Sequence, residues 1–413
     1  MSRVVIVGGG VIGVACAYYL NRSGWDVTIV ERNGVGSGCS HANCGFVCPS
    51  HVLPLAVPGA IRSGLKALLD PNGPFRIKPR LDLALWGWLL KFARRCNTRD
   101  MLSAGAAIQA MLRLSRRLYD ELLNDEQIDC EWEARGLLFV LQSQSGMEHY
   151  AATDQLLRNH FGLSARRLDG DALVALEPAL KPGLAGGWLY DTDAHLRPDK
   201  LMKAWRESLI RRGVSIRENC NVETINHNGS QARSVTTIEG ELSGDAFVIA
   251  AGALTPTLGR DLGCRLPIQP GKGYSITMNR PSRCPAFPLI FEEHRVAITP
   301  MKSAYRIGST MEFAGYDSTL NRQRLELLRE GAKPYLHEPF GEAVVEEWFG
   351  WRPMTPDSIP IIGPSPRLGN VVIAAGHNML GLSMAPGTGQ LVAALLDQRS
   401  PPIDPAPYSA TRF

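Results

Sequence analysis

Val4 to Leu20 reads VVIVGGGVIGVACAYYL. Four β-branched residues, Val4 to Val7, run into three consecutive glycines, and from Val11 the apolar residues continue at the density of a packed helix. A short apolar run bounded by glycine reads as a buried parallel strand, and the glycines supply the turn into the helix. Gly8, Gly10 and Gly13 form G-x-G-x-x-G, and a second apolar run, Val27 to Val30, ends at Glu31, eighteen positions beyond Gly13. Strand, glycine turn, helix, strand and acid therefore stand in register.

Each part has a mechanical reason. Gly8 permits the tight turn, Gly10 lets a pyrophosphate approach the backbone, and Gly13 lets helix and strand pack closely. Val11 and Ile12 open the helix, whose first N–H groups and partial positive charge face the phosphates. Glu31, with Arg32 beside it, marks the ribose: its carboxylate can accept both hydroxyls and repels a 2'-phosphate. The ligand is thus NAD or FAD, not NADP. A lone glycine motif would equally suit a turn with no ligand.

Composition bounds the rest. With 413 residues, 45% hydrophobic and 20% charged, the chain is long enough for two domains with sizeable cores. A net charge of +4 without a long basic run argues against nucleic acid. No signal peptide or run of membrane-span length is read, and nine scattered cysteines suit a reducing cytoplasm rather than a disulfide framework.

Two later stretches separate the cofactors. Val222 to Ile225 and a turn at Asn228-Gly229 read as a hairpin, feeding a strand that ends in Ala250-Ala251-Gly252. Farther on, the strand Val371 to Ala374 breaks at Gly376-His377 and passes through Asn378, Met379, Leu380, Gly381 and Leu382, with a helix expected from about Gly387 to Leu396. Such a helix start could face a flavin ring and stabilise negative charge on it. A dinucleotide contact so near the end of the chain suits an extended FAD better than NAD.

The opening VVIVGGGVIG with VTIVER, then SHANCGFVCPSHVLPLAVPG (40–59), GWRPMTPDSIPIIG (350–363) and GHNMLGLSMAPGTGQL (376–391) together resemble the D-amino-acid oxidase superfamily of FAD enzymes, the bacterial D-amino-acid dehydrogenases in particular. The resemblance implies an α/β fold: a Rossmann-like FAD domain assembled from discontinuous segments, placed at 1–60, 190–265 and 345–413, and a mixed-sheet substrate domain at 61–189 and 266–344. It also implies non-covalent FAD; no cysteine stands between Phe287 and Met354 for a flavin link. Ser40, Asn43 and Gly45 match a loop that touches the cofactor.

Oxidation at an α-carbon needs a fixed carboxylate, and Arg352 is the first candidate because a guanidinium makes two parallel charge-assisted bonds. A salt bridge to Asp357 or Glu346 is the structural alternative. Tyr274 is expected to add a phenol hydrogen bond or to be a half-buried strand tyrosine, and His377 to support the flavin or cap a turn. Lys272 is placed in solvent, and His195 is read as an interdomain histidine with its polar atoms satisfied. His51 stands where many of these dehydrogenases carry a lid tyrosine, which points to a small or cyclic substrate such as a D-proline or D-hydroxyproline derivative.

The resemblance implies a quinone or other non-oxygen acceptor; a hydrogen-peroxide-forming oxidase of the glycine or sarcosine type is the rival. LALWGWLLKFARR (83–95) has the pattern of an interfacial amphipathic helix, which would put a cytoplasmic enzyme on the inner face of the membrane, and equally that of a packed helix. Cys39, Cys44 and Cys48 with His41 and His51 approach a metal-cluster spacing but lack a fourth thiolate, and no metal is assigned.

Overall fold

Successive strand residues point to opposite faces. Val4 and Ile6 accordingly pack under helices, while Val5 and Val7 pack under a β-meander. The computed structural model describes residues 1–62, 64, 73, 75–78 and 80–413; the remainder of the segment from residue 61 placed in the second domain lies outside the described residues. A six-stranded sheet is built around Arg3–Val7 in the order Ile361–Pro364, Val371–Ala375, Ala246–Ile249, Arg3–Val7, Asp26–Val30, Ser215–Arg217. Only Ile361–Pro364 pairs antiparallel. Helices Val11–Arg22, Pro198–Arg211 and Gly381–Leu396 cover one face, and the meander Val222–Asn228, Gln231–Thr237, Gly240–Ser243 covers the other. Cover on both sides is why the strands read as continuous apolar runs.

A second, mixed sheet of nine strands runs Val344–Met354, Gln269–Met278, Tyr305–Phe313, Val296–Pro300, Leu289–Phe291, Leu137–Leu141, Gly186–Tyr190, Arg166–Asp169, with Phe75–Ile77 also on Tyr305–Phe313. Helix Arg322–Ala332 closes a core against Tyr274, Ile276 and Met278 on one of its faces. Residues 345–354, placed above with the nucleotide-binding segments, belong to this sheet, because Val344–Met354 pairs along its length with Gln269–Met278.

Two helices differ from expectation. Apolar residues recur at helical spacing over 104–123, and the helix they form is longer, Thr98–Asp125, started by Asn97, whose side chain accepts the Asp100 N–H at 3.0 Å. The C-terminal helix begins at Gly381, not near Gly387, despite Pro386 within it. Proline leaves the Leu382 carbonyl without its helical donor. The Tyr119 hydroxyl donates to that carbonyl at 2.7 Å, and Ser115 Oγ accepts the Gly387 N–H at 2.9 Å. The long helix thus repairs the break from outside. Among the described residues no helix is long and apolar enough to cross a membrane.

Candidate active site

The glycine turn is as tight as the spacing demands. A Cβ on Gly13 would lie 1.8 Å from the Gly8 carbonyl oxygen, and Gly8 itself has φ +111°. A Cβ on Gly10 would meet only Ser40 Oγ, at 3.4 Å, so the backbone there is open to a phosphate. Val11 N–H donates to Ser40 Oγ at 2.9 Å, which draws the 40–45 loop onto the helix start that Ile12 continues. At the next strand end Glu31 takes the Gly9 N–H on Oε2 (2.7 Å) and the Asn33 N–H on Oε1 (2.9 Å), which fixes the carboxylate while leaving lone pairs for ribose hydroxyls. Arg32 is exposed beside it. Cys220 N–H bonds the Glu31 carbonyl at 2.8 Å, which brings the strand starting at Val222 to the same end of the sheet. Ala251 leads into Gly252, where φ is +56° and nothing would meet a Cβ within 4 Å. These residues fit an ADP moiety: an open backbone cradle, a helix start and a fixed acid.

The 42–44 backbone is held by the large sheet. Ser275 Oγ donates to the Ala42 carbonyl (2.7 Å), Arg306 Nη1 to that of Asn43 (2.8 Å) and Thr299 Oγ1 to that of Cys44 (2.5 Å). Asn43 spends its amide within the loop, on Ser40 O and the Gly45 N–H. Gly45, at φ +74°, could not carry a Cβ, which would fall 2.0 Å from Leu196 O.

Arg352 lies on the sheet face that looks toward this loop. Its guanidinium rests on Gly273, where a Cβ would come within 2.3 Å of Cζ, and Nη1 donates to Thr310 O at 2.7 Å. Ser309 and Thr310 both have positive φ, at 119° and 50°, where the pairing with Tyr274 shifts register, so a bulge aims that carbonyl at the arginine. Neither proposed salt-bridge partner is free: Asp357 binds Arg412 and Glu346 binds His41 Nε2. Burial works against the Arg352 charge, opposed by the nearby Cys39 and Cys44. Burial in turn pushes the Cys39 thiol up to about 11 and raises Cys44, so both stay protonated at neutral pH. A half-buried cation with no acid of its own among the described residues is a receptor for one.

Several expectations are corrected. Tyr274 points to the opposite sheet face, inside the core under helix Arg322–Ala332, and donates to Glu312 at 2.7 Å; it cannot act beside Arg352. Alternation along the strand forces this, since Gly273 and Ser275 face the loop. Lys272 shares that far face and is buried, not in solvent. His377 is buried against Thr388 Oγ1 (3.0 Å), and burial lowers it to about 3, so it is neutral and offers no positive charge to a flavin. His195 is buried with neither ring nitrogen in a well-formed hydrogen bond.

Asn378, at φ +51°, braces the arginine strand. Its N–H bonds Pro353 O, its Oδ1 takes the Thr355 N–H and its Nδ2 reaches Thr355 Oγ1. Met379 is exposed, Leu380 caps the helix beginning at Gly381, and Leu382 turns its carbonyl to Tyr119.

His51 makes no hydrogen bond or ion pair with Arg352 among the described residues. It packs 5.6 Å from the Phe139 ring with Ser50 Oγ 3.3 Å from Nδ1, and burial lowers it to about 4. Cys48, His51 and Asp193 bring their polar atoms within 4.8 Å of one another, whereas Cys39 and Cys44 lie at Arg352 and His41 at Glu346. Asp193 is fully buried and accepts the Ser50 N–H (3.1 Å), the Ser50 hydroxyl (2.5 Å) and the Cys48 thiol. Burial raises Asp193 to about 7. Its proton is therefore held more tightly folded than unfolded, and the resulting stability is complete below about pH 4 and lost as pH rises through 7. Over that interval wild type should lose about 4 kcal/mol relative to Asp193→Asn, measured as denaturant midpoints at each pH. Parallel pH profiles for the two proteins would contradict this assignment.

The chain matches, over residues 3–395, the model of the family described as FAD dependent oxidoreductase. Proteins named D-amino acid dehydrogenase from Granulibacter bethesdensis and Methylobacterium nodulans are 33% and 34% identical, each alignment covering 100% of this chain and 99% of the relative. Among solved structures, glycine oxidase from Geobacillus kaustophilus superposes with a TM-score of 0.80 at 24% identity, covering both chains fully. L-proline dehydrogenase from P. horikoshii gives 0.75 at 19%, covering 100% of this chain and 97% of that one. The latter two likenesses speak for the fold.

Proposed function

Because this chain belongs to the FAD-dependent oxidoreductase family, with FAD as its cofactor, we propose that it oxidises a D-amino or cyclic imino acid at its α-carbon and passes the electrons to a quinone or another non-oxygen acceptor. The observation that carries the reading is Arg352: a guanidinium on the loop-facing side of the sheet, held by one carbonyl and, among the described residues, paired with no carboxylate. FAD, when bound, supplies the hydride acceptor.

The chain's own residues bind and orient. The Arg352 fork takes the substrate carboxylate in two parallel bonds and thereby fixes where the α-carbon stands. Gly273 lets the fork lie flat on the strand, and Asn378 ties the end of that strand to the C-terminal turn. The protonated thiols of Cys39 and Cys44 border the arginine without competing for its charge. A substrate ammonium must lose a proton before the C–H bond is broken. With Glu346 and Asp357 committed to His41 and Arg412, that proton goes to water or to a backbone carbonyl. The product is an imino acid that hydrolyses to a 2-oxo acid, or a cyclic imine when the amine lies in a ring. The names of the relatives support a D-configured substrate.

Anaerobic mixing of the purified holoprotein with D-amino acids, D-proline analogues, glycine and sarcosine is expected to bleach the flavin band with at least one D-configured member. In air, without an added acceptor, turnover should yield little hydrogen peroxide. Bleaching by glycine or sarcosine alone, with stoichiometric peroxide, would establish the oxidase instead.

A further inference from the structure

Helix Leu83–Arg95 has two unlike faces. Inward, Leu85 and Trp88 are buried with Phe313 and Met354, and Trp88 Nε1 donates to Met354 O at 2.9 Å, two residues beyond Arg352. Outward, Leu83 is 91% exposed, Trp86 56% and Leu90 63%, and Leu81, just before the helix, is completely exposed. At about 100° per residue, positions 83, 86 and 90 fall within an arc of roughly 60°. Arg94 continues that stripe and Lys91 borders it, both exposed. Among the described residues Arg94 has no ion-pair partner, and Lys91 is engaged only with the Phe413 ring, at 5.9 Å. Asp82 caps the helix start, accepting the Leu85 N–H at 3.0 Å, and is already paired with Arg80.

We propose that this face docks the protein on an anionic lipid surface, with Leu81, Leu83, Trp86 and Leu90 entering the acyl boundary and Lys91 and Arg94 at the phosphates. The chemistry of the face selects this occupant. Leucines on a stripe with an amphipathic indole suit the headgroup boundary, and long cationic side chains at the edge of the stripe reach lipid phosphates while their stems lie on the apolar side. A second protein copy fits less well, since lysine is depleted from protein interfaces. The position adds a consequence: an enzyme lying on this face has the arginine-bearing strand directly behind the docking helix, joined to it by the Trp88 bond. That deepens the quinone reading above and in this part rests on it; the docking itself does not.

The test is co-sedimentation of the holoprotein with vesicles of phosphatidylcholine mixed with phosphatidylglycerol, against vesicles of phosphatidylcholine alone. Wild type is expected to bind the anionic vesicles at least about tenfold more tightly, with added salt weakening the binding. Trp86→Ser combined with Leu90→Ser should cut anionic binding by at least about tenfold, and Lys91→Glu with Arg94→Glu should abolish the preference for anionic lipid. Turnover of all these proteins with a water-soluble dye should equal that of wild type, which shows them folded. Wild type remaining in the supernatant, or the serine variant binding as well as wild type, overturns the proposal. So does a wild-type dimer that the serine variant dissolves in the absence of vesicle binding. Vesicle binding without reduction of a lipid-dissolved quinone upholds the docking face and overturns the acceptor reading alone.

Discussion

Arg352→Ala is expected to lower kcat/KM for the best substrate by on the order of a thousandfold, about 4 kcal/mol, while FAD stays bound. The size follows from the surroundings of the side chain. Among the described residues the guanidinium makes one hydrogen bond, to Thr310 O, and pairs with no acid, Glu346 and Asp357 being held by His41 and Arg412, so the fork is free for the substrate carboxylate and its loss removes that anchor. Alanine also leaves the space over Gly273 empty and wet, which weakens whatever ionic attraction remains. Arg352→Lys separates charge from shape: it keeps the cation but loses the planar fork, and should recover only part of the loss, chiefly in KM. Stopped-flow flavin reduction under anaerobic conditions measures the step directly. Arg352→Ala with wild-type reduction rates would remove the arginine from the site.

What could be read from the sequence was what neighbours along the chain decide. The strand, turn, helix and acid at Val4 to Glu31 depend on contacts within about thirty residues, and each is where the spacing puts it. Arg352 was legible as a cation in a motif, but not as one without an acid partner among the described residues, because that depends on Arg412 holding Asp357 and His41 holding Glu346. Tyr274 failed for a different reason. Both faces of Gln269–Met278 are buried, so alternation carries no polar and apolar signal, and only the fold tells which parity meets the cofactor loop and which meets helix Arg322–Ala332. The early start of helix Gly381–Leu396 was hidden because its repair comes from Ser115 and Tyr119, more than 250 positions away. Asp193 reaches Ser50 across 143 positions and has no local mark at all.

Gly13→Ala should yield a protein that does not retain FAD. The added Cβ would stand 1.8 Å from Gly8 O and 3.0 Å from Gly8 C, and both are backbone atoms at the end of the central strand, with no rotamer to give way. Helix Val11–Arg22 would have to move, yet it is also closely packed elsewhere: Gly389 of the C-terminal helix approaches the Ala15 carbonyl so nearly that a Cβ there would lie 2.5 Å from the oxygen. Caught between strand and helix, it can relax only by tilting its first turn, and that turn is the one placed for the pyrophosphate. Overpacking of this kind costs about 3 kcal/mol or more, and a comparable loss of cofactor affinity is roughly a hundredfold. The measurement is the ratio of flavin to protein absorbance after gel filtration, with the unfolding midpoint followed alongside. Gly87→Ala is the control, a helical glycine with nothing within 4 Å of its added Cβ, and should keep full flavin. If Gly13→Ala is as yellow and as stable as that control, the close contact of strand and helix is not what shapes the nucleotide site, and the pyrophosphate must be held from elsewhere.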